Sequence, residues 1–173
     1  GSCFPKDVKA FVSSAKKLNV DLSIVNAVNE SNKKRPEKIV LKIINYYNDL
    51  LNDKTFAILG LSFKPNTDDV RDSISMTIAK LLNNKGAKIK AYDPQGMQNA
   101  KLILPQLDYC SSIKEACKKV DAIIIATEWN DFRALDFKEL KKQMNKAIIF
   151  DLRNIYNKEE LLKLDFEYYG IGK

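Results

Sequence analysis

The first seven residues hold a cysteine and an aspartate at a spacing that could support covalent chemistry. Cys3 and Asp7 lie four residues apart, so in a helix that starts by Pro5 their side chains would share roughly one face, one turn apart. A thiolate at a helix N-terminus and beside Lys6 is a favoured nucleophile, and a nearby carboxylate could orient or deprotonate an attacking water. The same residues fit a plainer interpretation, in which Cys3 packs as a small hydrophobe and Asp7 interacts with the helix dipole.

A long polar stretch, residues 60–73, carries charges of both signs and two basic residues that are well separated. Lys64 and Arg71 lie seven residues apart around an acidic turn, and together they could grip a pyrophosphate group. The same stretch could instead be a solvated loop that ends in a helix N-cap at Asp72 or Ser73. The residues alone leave both interpretations open.

The composition excludes several kinds of active site. The 173 residues include no histidine, which rules out Ser-His-Asp and Cys-His catalysis and most zinc sites. Cys110 and Cys117 lie seven residues apart, outside the usual spacings of metal ligands, so we predict no metal site and assign both thiols to the core. The glycines form neither G-x-G-x-x-G nor G-x-x-x-x-G-K-[ST]. If a dinucleotide is used, its usual fingerprint lies elsewhere.

Charge and hydropathy limit the partners. The formal net charge is +7, and only four of the 29 basic residues are arginine. A nucleic-acid reader would rely more on the bidentate guanidinium group, so we expect no nucleic-acid partner. No apolar run reaches the roughly 18 residues that a membrane span needs, so we expect no membrane association. Three widely spaced cysteines favour a reducing compartment over a disulfide framework, which predicts a cytoplasmic protein.

The first part of the chain has a helical pattern throughout. Pro5 suits the first position of a helix, and apolar residues follow it at helical spacing. A second helical segment, residues 21–51, begins with Asp21 as its N-cap. Its polar middle, residues 29–36, either breaks the segment in two or kinks one long helix, and we favour the kink.

From Lys54 onward, short apolar runs alternate with helical stretches. Continuous apolar runs such as residues 122–126 indicate strands buried on both faces, and the helices between them supply the crossovers. The pattern predicts an α/β fold, in which a helical central region with a long helix (residues 1–52) precedes a doubly wound, mainly parallel Rossmann-like sheet (residues 53–173). The predicted strands are 55–61, 88–93, 122–129, 147–152 and 166–171, and the clearest helices between them are 75–84 and 112–118.

Doubly wound sheets bind their ligands beyond the carboxyl ends of the strands. The loops that follow the predicted strands are therefore the places to look for chemistry. Asp93 ends the second predicted strand, where its carboxylate could meet a ribose or cap a turn, and we favour the cap.

Five motifs, in order along the chain, carry a resemblance to a known family. They are SCFPKD, GLSFKPNTDDVRDS, YDP, TEW and DLRN, and the sequence resembles the nucleotide-sugar 6-dehydrogenases over essentially its whole length. The resemblance implies oxidation of UDP-glucose to UDP-glucuronate with NAD as hydride acceptor, and Phe4 favours UDP-glucose because GDP-mannose enzymes tend to have leucine there. It also implies that residues 53–173 form a UDP-binding domain, that the N-terminal NAD-binding domain lies outside this chain, and that the chain alone is inactive.

The resemblance further implies roles for individual residues. Cys3 would bond to the C6 aldehyde as a thiohemiacetal, which loses a hydride to become a thioester, and hydrolysis would then release the acid. Asp7 would orient or activate the attacking water. The full set is Cys3 and Asp7 for catalysis, Lys6 and Arg71 for NAD, and Phe4, Lys64 and Arg153 for the substrate.

The segment 21–51 resembles the long central helix of the family, which implies a homodimer formed through this segment. An apolar stripe along a helix also needs a cover. Two alternatives stay open. One is a related enzyme that oxidises GDP-mannose or another nucleotide sugar, and the other is a non-catalytic nucleotide-binding or dimerisation module.

Overall fold

The structure, a computed structural model, describes the backbone of residues 3–172 and the side chains of residues 6–172. Among these residues, no helix combines the length and the apolar character that a membrane crossing requires. The helices are α1 (Cys3–Lys17), α2 (Ser23–Lys33), α3 (Arg35–Tyr46), α4 (Ile74–Asn84), α5 (Met97–Ile103), α6 (Ile113–Ala116), α7 (Asn130–Arg133), α8 (Phe137–Gln143) and α9 (Lys158–Lys163). The strands are β1 (Thr55–Leu59), β2 (Lys88–Tyr92), β3 (Asp108–Tyr109), β4 (Ala122–Ile125), β5 (Ile148–Asp151) and β6 (Glu167–Gly170).

The six strands form one parallel sheet in the order β3-β2-β1-β4-β5-β6. This is the order of a doubly wound sheet, in which the chain starts near the centre and adds strands first on one side and then on the other. The predicted α/β class and doubly wound sheet are therefore confirmed. The sequence pattern missed β3, because a strand of two residues is too short to show any periodicity.

The strand β4 shows why its sequence is apolar without alternation. Ile124 belongs to the core on the face that α3 and α4 cover, whereas Ile123 and Ile125 belong to the core on the opposite face. All three are fully buried, and burying such a side chain stabilises the fold by about 1.5–3 kcal/mol. A strand with helices on both sides needs an apolar residue at every position.

The segment 21–51 contains two helices, α2 and α3, with Lys34 between them. The backbone of Lys34 stays in the right-handed helical region (φ −81°, ψ −7°), and its N–H still bonds to the carbonyl of Glu30 at 3.2 Å. Pro36 lies in the first turn of α3, where its missing N–H costs least. The polar middle of the segment therefore introduces an interruption of one residue and not a loop.

Two predicted boundaries of this segment are wrong. The N-cap of α2 is Leu22, and α2 has no side-chain cap, so Asp21 does not begin the helix. At the other end, α3 stops at Tyr46 because Asn48 and Asp49 have positive φ angles of 50° and 63°. This left-handed conformation commonly terminates helices.

The helix α3 attaches the helical region to the sheet. Its residues Ile39, Val40, Ile43 and Ile44 are buried in the core that lies on one face of the sheet, and α3 packs against α4. In contrast, α2 has no buried residue and packs mainly against α1. One face of the helical region is thus fixed to the α/β unit, while the α1–α2 pair presents apolar side chains on its surface.

Candidate functional site

A cavity of about 490 Å³ opens at the carboxyl ends of the central strands. Its lining includes one residue from each of three loops, namely Phe63 after β1, Ala126 after β4 and Arg153 after β5. The first turn of α4 and residues of α1, α2 and α3 complete the wall. Because doubly wound sheets bind ligands at this edge, the cavity is the candidate site.

The charge of the lining favours an anion. Among the residues that the structure describes, Asp72 is the only acidic one that lines the cavity. Basic groups near a partly enclosed cavity raise the local concentration of anionic ligands, and guanidinium groups bind phosphates through paired hydrogen bonds. The described residues contribute five basic side chains to the lining, from Lys6, Lys9, Lys33, Arg35 and Arg153.

The start of α4 offers hydrogen-bond donors to the same cavity. Ser73 is the N-cap, with φ −69° and ψ 126°, but its hydroxyl accepts no hydrogen bond from the helix. The residue is only 3 % exposed, and its Oγ has no hydrogen-bond partner among the described residues. A buried hydroxyl without a partner is costly, and the free N–H groups of a helix N-terminus attract anions. Ser73 and the first turn of α4 therefore suit a phosphate oxygen.

The carboxylate of Asp93 holds the loop after β1 in place. Asp93 is 1 % exposed, and each of its two oxygens accepts three hydrogen bonds, so it has no capacity left for a ligand. The prediction of a turn cap is confirmed, because two of its donors are backbone N–H groups of the turn that follows it. The donors are the N–H groups of Leu61 (2.7 Å), Ser62 (3.0 Å), Gln95 (3.0 Å) and Gly96 (2.7 Å), the hydroxyl of Ser62 (3.1 Å) and Nε1 of Trp129 (3.2 Å).

Two of the predicted binding residues lie on this loop but do not line the cavity. The ammonium group of Lys64 lies 5.4 Å from the centre of the Phe63 ring, in a cation–π contact. Arg71, whose side chain is 85 % exposed, forms a bidentate pair with Asp69 at 3.0 and 2.8 Å. These hydrogen bonds lower the pKa of Asp69 to about 2. Both cations are exposed, so ligand contacts from them would come from the outer side of the loop.

The site residues predicted from the first motif all lie in the first two turns of α1. Lys6 lines the cavity, and its Nζ lies 3.5 Å from a carboxylate oxygen of Asp7, with both side chains largely exposed. Asp7 itself is not part of the lining. The side chains of Cys3 and Phe4 lie outside the described residues, although the backbone of both belongs to α1.

Arg153 is the predicted substrate residue that the structure places most firmly. Its Nε donates to Oε2 of Glu128 at 2.5 Å. Its backbone N–H donates to the buried carboxylate of Asp151 at 3.0 Å. The side chain lines the cavity, so an arginine at the end of β5 is held both by its backbone and by its guanidinium group.

Sequence reasoning missed other residues that contribute to the cavity. Arg35, at the start of α3, lines it, although no motif in the sequence indicated a role for this residue. The sequence suggested only a helix cap for Ser73, and Glu128 belongs to the TEW motif but received no role of its own. The rarity of arginine was a signal for Arg35, but the lack of a partner for Ser73 among the described residues depends on three-dimensional packing alone.

The parallel strand order and the basic cavity at the carboxyl edge define a doubly wound α/β protein of the Rossmann type with a site that suits an anionic ligand. Residues 57–158 match the UDP-binding domain of the UDP-glucose/GDP-mannose dehydrogenase family, and residues 1–34 match the central domain of the same family. The chain belongs to this family, and the resemblance seen in its motifs is confirmed.

Individual relatives agree with this assignment. The UDP-glucose 6-dehydrogenase of Rickettsia conorii is 44 % identical over 174 residues, which cover 99 % of this chain and 40 % of the relative. The UDP-glucose 6-dehydrogenase of Rhizobium meliloti is 42 % identical over 100 % of this chain and 40 % of its own length. A solved UDP-glucose dehydrogenase from Pyrobaculum islandicum is similar with a TM-score of 0.84 and 31 % identity over 99 % of this chain and 37 % of that one. The chain therefore spans about 40 % of the length of these two curated relatives.

Proposed function

We propose that this chain is the part of a UDP-glucose 6-dehydrogenase that binds the nucleotide sugar and supplies the covalent nucleophile. The observation that carries the proposal is the cavity itself. It lies at the carboxyl edge of the sheet, and the described part of its lining has five basic residues and one acidic residue. The hydroxyl of Ser73, which has no hydrogen-bond partner among the described residues, belongs to its wall. A diphosphate would meet both kinds of group.

The contacts to the nucleotide sugar are proposed on the same basis. Arg153 presents a guanidinium group to the cavity, which suits the diphosphate. Lys64 approaches the nucleotide from the loop after β1, and Phe4 contributes to the selection of the sugar.

Covalent chemistry is proposed for Cys3. Its thiolate adds to C6 of the aldehyde that the first oxidation produces, and the resulting thiohemiacetal loses a second hydride to give a thioester. Water, deprotonated or oriented by Asp7, attacks the thioester carbonyl, and the carboxylate product leaves as the thiol is restored. The exposed position of Asp7 beside Lys6 gives this carboxylate access to solvent.

The proposed cofactor is NAD, and each of the two oxidation steps would transfer one hydride to its own NAD+ molecule. The residues described here fit only the edge of such a site, because Lys6 and Arg71 are exposed cations and the chain has no glycine-rich dinucleotide fingerprint. Both cations suit the pyrophosphate of a dinucleotide held mainly by another domain. We therefore expect the 173-residue chain to bind the nucleotide sugar without oxidising it.

Self-association belongs to the same proposal. Exposed aliphatic side chains lie along the segment 21–51, including Ile24 at 80 % exposure and Val28, Leu41 and Leu50. A second copy that packs on this segment would remove them from water. We propose a homodimer formed through this segment.

Isothermal titration calorimetry of the 173-residue chain with UDP and with GDP tests the nucleotide site. We expect UDP to bind more tightly than GDP by about tenfold, equivalent to ~1.4 kcal/mol. Arg153→Ala should abolish most of this binding, whereas Arg133→Ala, which removes an exposed arginine of α7, should leave it unchanged. Equal affinity for both nucleotides would favour another nucleotide sugar, and undetectable binding of either would overturn the proposal.

An activity assay tests the chemistry. The longer natural protein that contains these residues should form two NADH for each UDP-glucuronate, and Cys3→Ser should stop the reaction after the aldehyde is made. The 173-residue chain alone should form no NADH. Glucuronate production by the Cys3→Ser protein at an undiminished rate would exclude the thioester route.

A further inference from the structure

Three consecutive residues after β4 each contact a different loop at the carboxyl edge of the sheet. They are Thr127, Glu128 and Trp129, and none of them lines the cavity. Thr127 Oγ1 donates to the carbonyl of Ser62 at 2.7 Å, and Trp129 Nε1 donates to Asp93 at 3.2 Å. The outer two residues thus hold the loops after β1 and β2, and the middle residue contacts the loop after β5.

The contact of the middle residue is an ion pair with the arginine of the cavity. Glu128 Oε2 accepts from Nε of Arg153 at 2.5 Å, and both side chains are 34 % exposed. The hydrogen bonds of the described residues involve only Nε of this guanidinium group, so the two terminal nitrogens have no acceptor among those residues. A guanidinium group held at Nε keeps its two terminal nitrogens available as a bidentate hydrogen-bond donor.

The backbone around Arg153 is also restrained. Its N–H bonds to Asp151 at 3.0 Å. The next residue, Asn154, has a positive φ of 51° and uses its amide to bond both the N–H and the carbonyl of Ile171 at 3.0 Å. Because the backbone is fixed, the contact with Glu128 decides which direction the long arginine side chain takes.

We propose that Glu128 is a positioning residue that holds Arg153 with its terminal nitrogens directed at the diphosphate of the nucleotide sugar. This inference rests on the proposed function of the cavity. Charge alone predicts the opposite effect on binding, because a carboxylate next to an anion site should weaken anion binding. The sign of the effect on binding therefore separates positioning from charge.

Two substitutions at the same position give the test, measured as UDP affinity of the 173-residue chain by calorimetry. Glu128→Ala removes both the charge and the acceptor, and Glu128→Gln removes the charge but keeps an oxygen for Nε of Arg153. Positioning predicts that Glu128→Ala weakens UDP binding by about tenfold, and that Glu128→Gln restores most of the loss. Charge alone predicts that both variants bind UDP more tightly and to the same extent.

A charge control and a double variant complete the experiment. Asp72→Asn removes the only acidic residue in the described part of the lining and leaves Arg153 in place, and it should tighten UDP binding. In the Arg153→Ala background, Glu128→Ala should cause no further loss, because it acts through the arginine. Thermal unfolding of each variant checks that the fold is intact.

The outcomes are distinguishable. Unchanged or tighter UDP binding by Glu128→Ala, while Arg153→Ala binds weakly, overturns the positioning role and leaves the proposed function standing. An equal further loss in the double variant also overturns the positioning role. No UDP binding by the unaltered chain overturns the proposed function and this inference together.

Discussion

The carboxylate of Asp93 accepts a hydrogen bond from the indole nitrogen of Trp129 at 3.2 Å, which joins the end of β2 to the segment after β4. The same carboxylate accepts two hydrogen bonds from the N–H groups of Leu61 and Ser62. One buried charge therefore connects three neighbouring strands at the edge where the cavity lies. The Asp93 carboxylate therefore affects both the stability of the carboxyl edge of the sheet and the shape of the cavity.

We expect Asp93→Asn to lower the free energy of unfolding by about 3 kcal/mol, because an amide presents two N–H donors to groups that are themselves donors. Urea unfolding followed by circular dichroism measures the change. Asp108→Asn is the matched control, because Asp108 is exposed at the start of β3, and a surface change of this kind should stay within about 0.5 kcal/mol. Equal stabilities of the two variants would contradict the structural role of Asp93.

Trp129→Phe tests the individual contact. The phenyl ring keeps most of the buried area but has no N–H, so the free energy of unfolding should fall by about 1.5–3 kcal/mol, the usual range for a hydrogen bond to a charged group. Urea unfolding again gives the value. In the Asp93→Asn protein the same substitution should cost clearly less, and a full additional loss there would show that the indole stabilises the fold by packing alone.

Ser73→Ala should weaken UDP binding without weakening the fold. The hydroxyl has no protein partner among the described residues, so its removal leaves the unfolding free energy unchanged or higher. UDP affinity should fall at least about tenfold, equivalent to ~1.4 kcal/mol or more, because the lost hydrogen bond is to a charged phosphate oxygen. Calorimetry and urea unfolding measure the two effects.

Ser75→Ala is the control for this prediction. Ser75 lies in the same turn of α4, is also buried and also lines the cavity, but its hydroxyl is already engaged, because it donates to the carbonyl of Ala126 at 3.3 Å. Its loss should lower the unfolding free energy by about 1 kcal/mol and change UDP affinity little. If the two serine variants show the same changes in UDP affinity and in the free energy of unfolding, the Ser73 hydroxyl does not bind the ligand.

Ile24→Lys should convert the proposed dimer to a monomer. Ile24 is 80 % exposed on α2, and a lysine there would bury a charge in the interface, lowering dimer affinity by at least about tenfold. Light scattering over a range of concentrations gives the mass. Leu102→Lys, at a residue of α5 that is 84 % exposed, should leave the mass unchanged. A monomeric unaltered chain at every concentration would remove the dimer proposal.

The stability of the fold should decrease in alkaline solution. Burial raises the pKa of the Cys117 thiol to about 12 from 9.0, with Cys110 acting in the same direction and Lys90 in the opposite one. Burial also raises the pKa of Tyr109 to about 12 from 10.0. The unfolded chain loses these protons at lower pH than the folded chain. The contribution of these groups to the free energy of unfolding is therefore complete below about pH 9 and declines between pH 9 and 12.

Urea unfolding at about pH 8 and about pH 10.5 should show this decline, which approaches ~1.4 kcal/mol per pH unit for each group that ionises only when unfolded. Cys117→Ala removes one such group. Its stability at pH 8 will be lower because of the cavity it creates, but its loss between the two pH values should be smaller. An unchanged loss would show that Cys117 does not contribute to the alkaline effect.

Local sequence patterns predicted the parts of the fold that have local causes. The continuous apolar run at residues 122–126 predicted β4 correctly, because burial on both faces leaves a visible signature in one segment. The edge strand β3 and the N-cap Leu22 were missed. β3 consists of Asp108 and Tyr109, and its position is set by pairing with β2 and not by its own two residues. Leu22 is an N-cap without a capping side chain, so no sequence signal marks it.

The candidate site was predictable in part for a similar reason. Arg153 and Lys6 were named from motifs, and both line the cavity. Arg35 was not named, because it reaches the cavity only when α3 packs against α4. Glu128 was part of the quoted TEW motif but received no role, since its pairing with Arg153 joins residues that lie 25 positions apart.

Gly60 lies at the end of β1 with a φ of 97° and donates its N–H to the carbonyl of Tyr92 at 2.8 Å. A methyl group at this position would come within 2.4 Å of the Thr127 side chain and 2.6 Å of its backbone nitrogen. Neither neighbour can retreat, because Thr127 is itself bonded to Ser62. In a saturation library that covers this edge of the sheet, position 60 should therefore retain glycine alone, even when the selection asks only for folded protein.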